Sequence, residues 1–130
     1  MQDFGLGIWG DENFIIQNDT VNVNYGSKPS LLSITQEIRE KGYKGPLLLR
    51  FPHLIAKQIT TLFDTFNNAR KEFNYKGSFH AVFPLKVNQF PNFVHTLMDV
   101  SQDYNYGLEA GSKAELIIAM SKTPTGAPIT

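Results

Sequence analysis

The sequence FHAVFPLKVNQF, residues 79–90, has the pattern of a buried strand that ends at a lysine. Its first part is mostly apolar, as expected of a strand that is covered on both faces in a parallel sheet. Lys86 follows at the carboxyl end, and functional sites of parallel α/β folds gather at the carboxyl ends of their strands. This stretch therefore indicates both the fold class and a first candidate residue.

Apolar patterns alternate along the chain from residue 46 onward. Continuous apolar runs predict buried strands, and apolar residues at spacings of three and four predict amphipathic helices. The patterns place strands at 47–49, 79–85 and 104–111, and helices at 54–74, 93–98 and 112–120. Strand–helix alternation at this spacing predicts right-handed parallel units. The fold class is therefore α/β, either a (β/α)8 barrel or an open doubly wound sheet.

The two ends of the chain depart from this alternation. Near the amino terminus Val21, Val23 and Tyr25 alternate with other residues, which predicts a short strand, and Ser30 is expected to cap a helix. The last residues, KTPTGAPIT at 122–130, predict a loop that runs into a fourth strand. We expect the chain to be the leading piece of a longer protein or a truncated product.

The composition excludes several classes of function. Basic and acidic residues balance, with 12 of each among 130 residues, so there is no electrostatic basis for binding nucleic acid. The first residues lack the features of a signal peptide, and no apolar run reaches the roughly 18 residues that span a bilayer. The absence of cysteine excludes a disulfide framework and thiolate metal ligands. We expect a cytoplasmic protein.

Lys86 has two interpretations. A lysine in a partly desolvated strand mouth has a lowered pKa, and its neutral amine is a nucleophile toward carbonyl groups. It would then form a Schiff base with a sugar or keto-acid substrate, or with pyridoxal phosphate. The alternative is a strand-end lysine whose ammonium group extends into water. The residue alone does not decide between them.

A second stretch, GLEAGSKAEL at 107–116, adds three polar side chains. Glu109 ends the third predicted strand, at the mouth next to that of Lys86. It could pair with the lysine, accept a hydrogen bond from a cofactor hydroxyl, or be a half-exposed acid without such a role. Ser112 and Glu115 have the spacing of a capping box, so Ser112 is predicted to start the third helix. A capped helix amino terminus also attracts anions.

The histidines are expected to be structural. His80 is predicted to lie inside the base of a barrel or against a helix, with a hydrogen-bonded side chain, whereas His53 and His95 are predicted in helices or loops. No carboxylate or cysteine lies at ligand spacing from them, so we predict no metal site.

Four stretches in order, WGDENFIIQN, PLLLRFP, FPLKVNQ and GLEAGSKAEL, resemble the biosynthetic arginine decarboxylases over nearly the whole chain. These are pyridoxal-phosphate enzymes of the alanine-racemase-like barrel class. The resemblance implies that residues 29–130 form the leading strand–helix units of a (β/α)8 barrel, incomplete at the carboxyl terminus. It also implies that residues 1–28 contribute strands to a separate β domain.

The resemblance implies roles for individual residues. Lys86 would be the catalytic residue and form the internal aldimine with the cofactor. Glu109 would lie beside the cofactor near its phenolic oxygen, and Ser112 and Glu115 would support that wall of the site. Phe83 stands where the family usually has tyrosine, so one hydroxyl group is missing.

The implied function is the pyridoxal-phosphate-dependent decarboxylation of L-arginine to agmatine and CO2, on a route to putrescine and spermidine. We expect a homo-oligomer for the full-length enzyme, without nucleic-acid or membrane partners. Mg2+ is associated with the family, but no residue here indicates a site. The chain by itself is expected to be inactive, because phosphate- and substrate-binding residues would lie beyond Thr130. The alternatives are an ornithine or diaminopimelate decarboxylase, a racemase, a pyridoxal-phosphate carrier, or a non-catalytic barrel fragment.

Overall fold

The structure, a computed structural model, describes residues 5–10 and 12–130, so part of the segment 1–28 that was assigned to a β domain lies outside the described residues. Within them the chain is a mixture of helices and strands, with five α-helices and two small sheets. It divides into two compact units, Met1–Arg50 and Phe51–Thr130. Across the described ranges, we find no helix with both the length and the apolar character that crossing a bilayer requires.

The first unit contains a hairpin and a capped helix. Its elements are α1 (Leu6–Trp9), β1 (Phe14–Gln17), β2 (Thr20–Val23) and α2 (Leu31–Glu40). β1 and β2 pair antiparallel, and the two residues between them, Asn18 and Asp19, both have positive φ, as a tight hairpin turn requires. Ser30 caps α2 as predicted, because its hydroxyl oxygen accepts a hydrogen bond from the Ser33 N–H at 2.9 Å.

The strand predicted at 47–49 is wrong. Residues 46–50 form no ladder within the described structure, and Leu48 is 73% exposed. The apolar run indicated a preference for burial, but a strand is defined by hydrogen bonds to a neighbouring strand. The local pattern carries no information about that neighbour.

The second unit alternates helices with strands. Its elements are α3 (His53–Glu72), β3 (Val82–Pro84), a 3-10 turn (Leu85–Val87), α4 (Pro91–Ser101), a second 3-10 turn (Gln102–Tyr104), β4 (Gly107–Glu109) and α5 (Lys113–Lys122). The predicted helices at 54–74, 93–98 and 112–120 are confirmed. β3 and β4 are shorter than predicted but lie within the expected stretches.

The second sheet is parallel, as the strand–helix alternation predicted. Val82 pairs with Gly107 and Pro84 with Glu109. On the other side of β4, Leu108 bridges to Ile129 in parallel. Leu108 N–H donates to the Pro128 carbonyl at 3.1 Å, and Thr130 N–H donates to the Leu108 carbonyl at 3.1 Å. The fourth strand predicted near the end of the chain is therefore present as a short extended segment beside β4.

The core of the second unit lies between the sheet and its helices. Leu85 and Leu108 have no exposed surface, and they pack with buried residues of three helices: Ile59 and Phe63 of α3, Val94, Leu97 and Met98 of α4, and Ala119 of α5. The ring of Phe63 contacts Phe79, Tyr104 and Tyr106, with centroids 5.2, 5.1 and 6.0 Å away. This packing fixes where β3 and β4 end, and hence where the candidate residues lie.

Candidate functional site

The carboxyl ends of β3 and β4 lie side by side. Pro84 and Glu109 are register partners at the last position of the ladder. Because Pro84 has no N–H to donate, it suits the last position of a strand. The chain then enters the 3-10 turn that carries Lys86. Lys86 and Glu109 therefore lie at the carboxyl ends of neighbouring strands, as the sequence predicted. Their roles stay predictions.

Lys86 is exposed. Because it lies in a 3-10 turn, it does not share the strand face of Val82 and Pro84 as simple alternation would require. The desolvation assumed for this lysine is not provided by the residues that the structure describes. Among those residues its ammonium group makes no ion pair, so the amine is accessible to a ligand.

Glu109 is partly buried and has an unsatisfied oxygen. Its Oε2 is inaccessible to solvent and has no hydrogen-bond partner within the described ranges. A buried acceptor without a donor is unfavourable by about 1–3 kcal/mol, more for a charged group. The carboxylate is thus suited to accept a hydrogen bond from a ligand hydroxyl or cation at this strand end.

Glu115 is buried at the start of α5, with 7% of its surface exposed. Its Oε2 accepts a hydrogen bond from the Gly111 N–H at 2.7 Å, and its Oε1 accepts one from the Gln89 side-chain amide at 2.8 Å. Its own N–H donates to Ser112 Oγ at 3.2 Å, so Ser112 caps α5 as predicted. The carboxylate reaches one residue further back than a capping box requires, to Gly111.

Gly111 lies between the two carboxylates. A Cβ built on this glycine would lie 3.5 Å from Glu115 Oε2 and 3.6 Å from Glu109 Oε1. The backbone after β4 therefore passes close to both acidic side chains. The two carboxylates and the Gly111 N–H form a polar cluster at the end of β4, and Lys86 follows the end of the neighbouring strand, β3.

Gln89 was not identified from the sequence, although it contacts the cluster directly. It follows Lys86 by three positions and bonds to a residue 26 positions away. Its sequence signals were its proximity to Lys86 and its place at the end of the FPLKVNQ stretch, and neither indicated Glu115 as its partner.

His80 is not buried, contrary to the prediction. It is exposed, and its ring nitrogens contact Ser78 Oγ at 2.9 Å and the Asn105 side-chain amide at 3.2 Å. The hydrogen-bonded role is therefore confirmed while the location is wrong, because His80 precedes β3 rather than lying within it. His53 starts α3 and His95 lies on α4, as expected.

The second unit has two grooves that are separate from the carboxyl ends of β3 and β4. One, of about 550 Å³, is lined by polar residues at the end of α3, including Arg70 and Lys76. The other, of about 450 Å³, is lined mainly by apolar residues of α3 and α4 with Phe83 and Tyr106. Neither contains Lys86 or Glu109. In the part of the chain that the structure covers, no three histidine or acidic side chains are grouped so as to hold a metal ion.

Comparison with known proteins gives consistent similarities, although no family model matches the chain. It is 36% identical over 124 residues to the biosynthetic arginine decarboxylase of Prochlorococcus marinus strain SARG, a match covering 91% of this chain and 19% of that protein. It is 42% identical over 97 residues to the enzyme of that name from Deinococcus radiodurans, covering 75% of this chain and 15% of that protein.

A solved structure shows the same fold. The crystal structure of the biosynthetic arginine decarboxylase SpeA from Campylobacter jejuni is 62% identical to this chain and superimposes with a TM-score of 0.94. The match covers 99% of this chain and 22% of that structure. The chain thus spans about a fifth of the length of the curated relatives that it matches.

Proposed function

We propose that this chain, which is similar to the biosynthetic arginine decarboxylases over about a fifth of their length, belongs with them and serves their reaction. That reaction is the conversion of L-arginine to agmatine and CO2 with pyridoxal phosphate as cofactor, on a route to putrescine and spermidine. In this proposal the chain contributes the end of the site that carries the reactive lysine.

The observation that carries the proposal is the pairing at the strand ends. Pro84 and Glu109 are partners in the parallel ladder, and Lys86 follows Pro84 in the next turn. The amine and the carboxylate thus belong to adjacent strand ends, where ligands of parallel α/β folds bind.

The residues present fit the cofactor. Lys86 offers an accessible primary amine for the aldehyde, and Glu109 offers a buried oxygen that lacks a donor. Ser112 and Glu115 hold the adjoining loop in place through the hydrogen bonds at the start of α5. When bound, pyridoxal phosphate supplies the electron sink that decarboxylation needs, and the protein supplies orientation and electrostatics.

Several finer features belong to the same proposal. Residues 29–130 would be the leading strand–helix units of a (β/α)8 barrel, supported by the parallel order of β3, β4 and the segment 128–130. Residues 1–28 would contribute to a separate β domain, supported by the antiparallel hairpin of β1 and β2. We further propose a cytoplasmic homo-oligomer that binds neither nucleic acid nor membrane. Mg2+ stays an expectation from the family, without residues assigned to it.

A spectroscopic titration tests the role of Lys86. The chain, Lys86→Ala and the control Lys122→Ala, which removes an exposed lysine from the end of α5, would each be titrated with pyridoxal phosphate. We expect the visible absorbance of lysine-bound cofactor to appear at lower cofactor concentration in the wild-type chain and in the control than in Lys86→Ala, because that variant lacks the accessible amine at the strand end. Equal titration curves for all three proteins would contradict the proposal.

A further inference from the structure

We propose that Gln89 is a positioning residue that sets the relative placement of Lys86 and Glu109. It acts through the carboxylate of Glu115, which is held at both oxygens. One oxygen accepts from the Gln89 amide and the other from the Gly111 N–H. This inference rests on the proposed function, since it concerns the same site.

These two hydrogen bonds of the Glu115 carboxylate form a bridge between the two loops that follow β3 and β4. The ladder between β3 and β4 ends at Pro84 and Glu109, so sheet hydrogen bonds no longer fix the separation of the chains beyond them. Gln89 belongs to the segment after β3, three positions beyond Lys86. Gly111 belongs to the loop after β4, two positions beyond Glu109. The Glu115 carboxylate therefore connects both loops at a point just past the candidate residues.

Burial makes the bridge specific. Glu115 is 7% exposed, and its two hydrogen bonds are short, at 2.7 and 2.8 Å. An ionised carboxylate accepts hydrogen bonds and cannot donate them, so the partner at position 89 must present a donor. Gln89 is itself exposed, so its contribution to packing is small and its amide is the part that matters.

Exchanging Gln and Glu between positions 89 and 115 distinguishes the loss of the bridge from a general loss of stability. Gln89→Glu places a second carboxylate against Glu115, and the two negative groups repel each other. Adding Glu115→Gln restores both bonds, because the new amide oxygen accepts from the Gly111 N–H while its NH2 group donates to the carboxylate introduced at position 89. The double variant has the same net charge as the wild-type chain. Gln36→Glu is the matched control, since it adds the same charge at an exposed glutamine of α2.

The test uses two measurements on the 130-residue chain. The first is the hydrogen-exchange rate of the Gly111 amide by NMR, which reports the bridge without any cofactor. The second is the ratio of borohydride-trapped pyridoxal phosphate at Lys86 to that at Lys122, measured by peptide mass spectrometry. For Gln89→Glu we expect faster exchange and a lower ratio, each by roughly tenfold, the factor for losing about one hydrogen bond to a charged group. The double variant should recover most of both values, and Gln36→Glu should change neither.

The outcomes distinguish the two proposals. If exchange at Gly111 accelerates but the labelling ratio is unchanged, Gln89 is merely structural, and the positioning role is refuted while the proposed function stands. If the wild-type chain shows no preference for Lys86, the proposed function fails, and the exchange data still report the bridge. Unchanged exchange in Gln89→Glu refutes the bridge itself. Gln89→Ala, which removes the donor without adding charge, provides the same test with a smaller expected change should Gln89→Glu unfold.

Discussion

Gly107 lies so close to Pro128 that a Cβ built on the glycine would clash with the Pro128 carbonyl oxygen. That carbonyl accepts the hydrogen bond from Leu108 N–H, so the close approach is part of the pairing between β4 and the last residues of the chain. Only glycine has no side-chain atom to occupy this space. The first residue of β4 therefore determines whether the segment 128–130 can lie beside the sheet.

Gly107→Ala should destabilise the second unit by about 2 kcal/mol or more, because backbone atoms must move to relieve the clash. Urea unfolding of the chain measures this change. Gly7→Ala is the control, since Gly7 is exposed on α1 and a Cβ built on it would have nothing within 4 Å. A Gly107→Ala variant as stable as the control would show that the segment 128–130 is not paired with β4.

Ser112→Ala should destabilise α5 by about 1 kcal/mol, because it removes the hydroxyl that accepts from the Glu115 N–H. Ser112→Asp should retain most of the stability, since aspartate also caps helices. Ser121→Ala changes a serine in the last turn of the same helix and should have little effect. Thermal unfolding followed by circular dichroism compares the three, and equal losses for both alanine variants would refute a specific capping role.

Leu108→Ala should cost about 2–5 kcal/mol, since Leu108 is fully buried and its truncation leaves a cavity. Leu48→Ala removes the same atoms at a position that is 73% exposed, and it should change stability little. Chemical unfolding measures the free energy of unfolding of both variants. A large loss for Leu48→Ala would mean that the run 47–49 is buried in solution, as its sequence suggested.

Tyr106 should make the protein sensitive to alkali. Burial raises the pKa of Tyr106 above its ordinary value of 10.0. The folded state therefore holds the phenol proton more tightly than the unfolded state does, and this contribution to stability is complete below about pH 10. It is lost as the pH rises through the folded-state pKa.

The free energy of unfolding should thus decrease from about pH 8 to about pH 11, and the decrease should be smaller in Tyr106→Phe than in the wild-type chain. Tyr75→Phe, at a tyrosine that is 63% exposed, should behave like the wild type. The measurement is urea unfolding at both pH values, and an identical alkaline loss in Tyr106→Phe would exclude this tyrosine as the cause.

The apolar run of the second unit predicted a strand correctly and that of the first unit did not, for a physical reason. The runs at 79–85 and 47–49 have the same apolar character, yet only the first contains a strand, Val82–Pro84. Apolar character reports a preference for burial, which is local, whereas a strand also needs a partner, and β3 finds one in β4. The helices were predicted well because their hydrogen bonds lie within the segment itself.

The candidate site was predicted only where its residues lie at strand ends or in a local capping pattern. Lys86 and Glu109 follow from the positions of β3 and β4 along the chain, and Ser112 follows from a local capping pattern. The bond between Gln89 and Glu115 joins residues 26 positions apart, and neither residue type indicates such a partner by itself. The exposure of His80 was missed because β3 begins after it, at Val82.

The most direct test of the account is to locate the cofactor on the chain. The protein would be incubated with pyridoxal phosphate, reduced with borohydride, digested, and mapped by mass spectrometry. We expect the peptide containing Lys86 to carry more label than the peptide of any other exposed lysine. Label spread evenly over exposed lysines, or concentrated on a lysine other than Lys86, would contradict it.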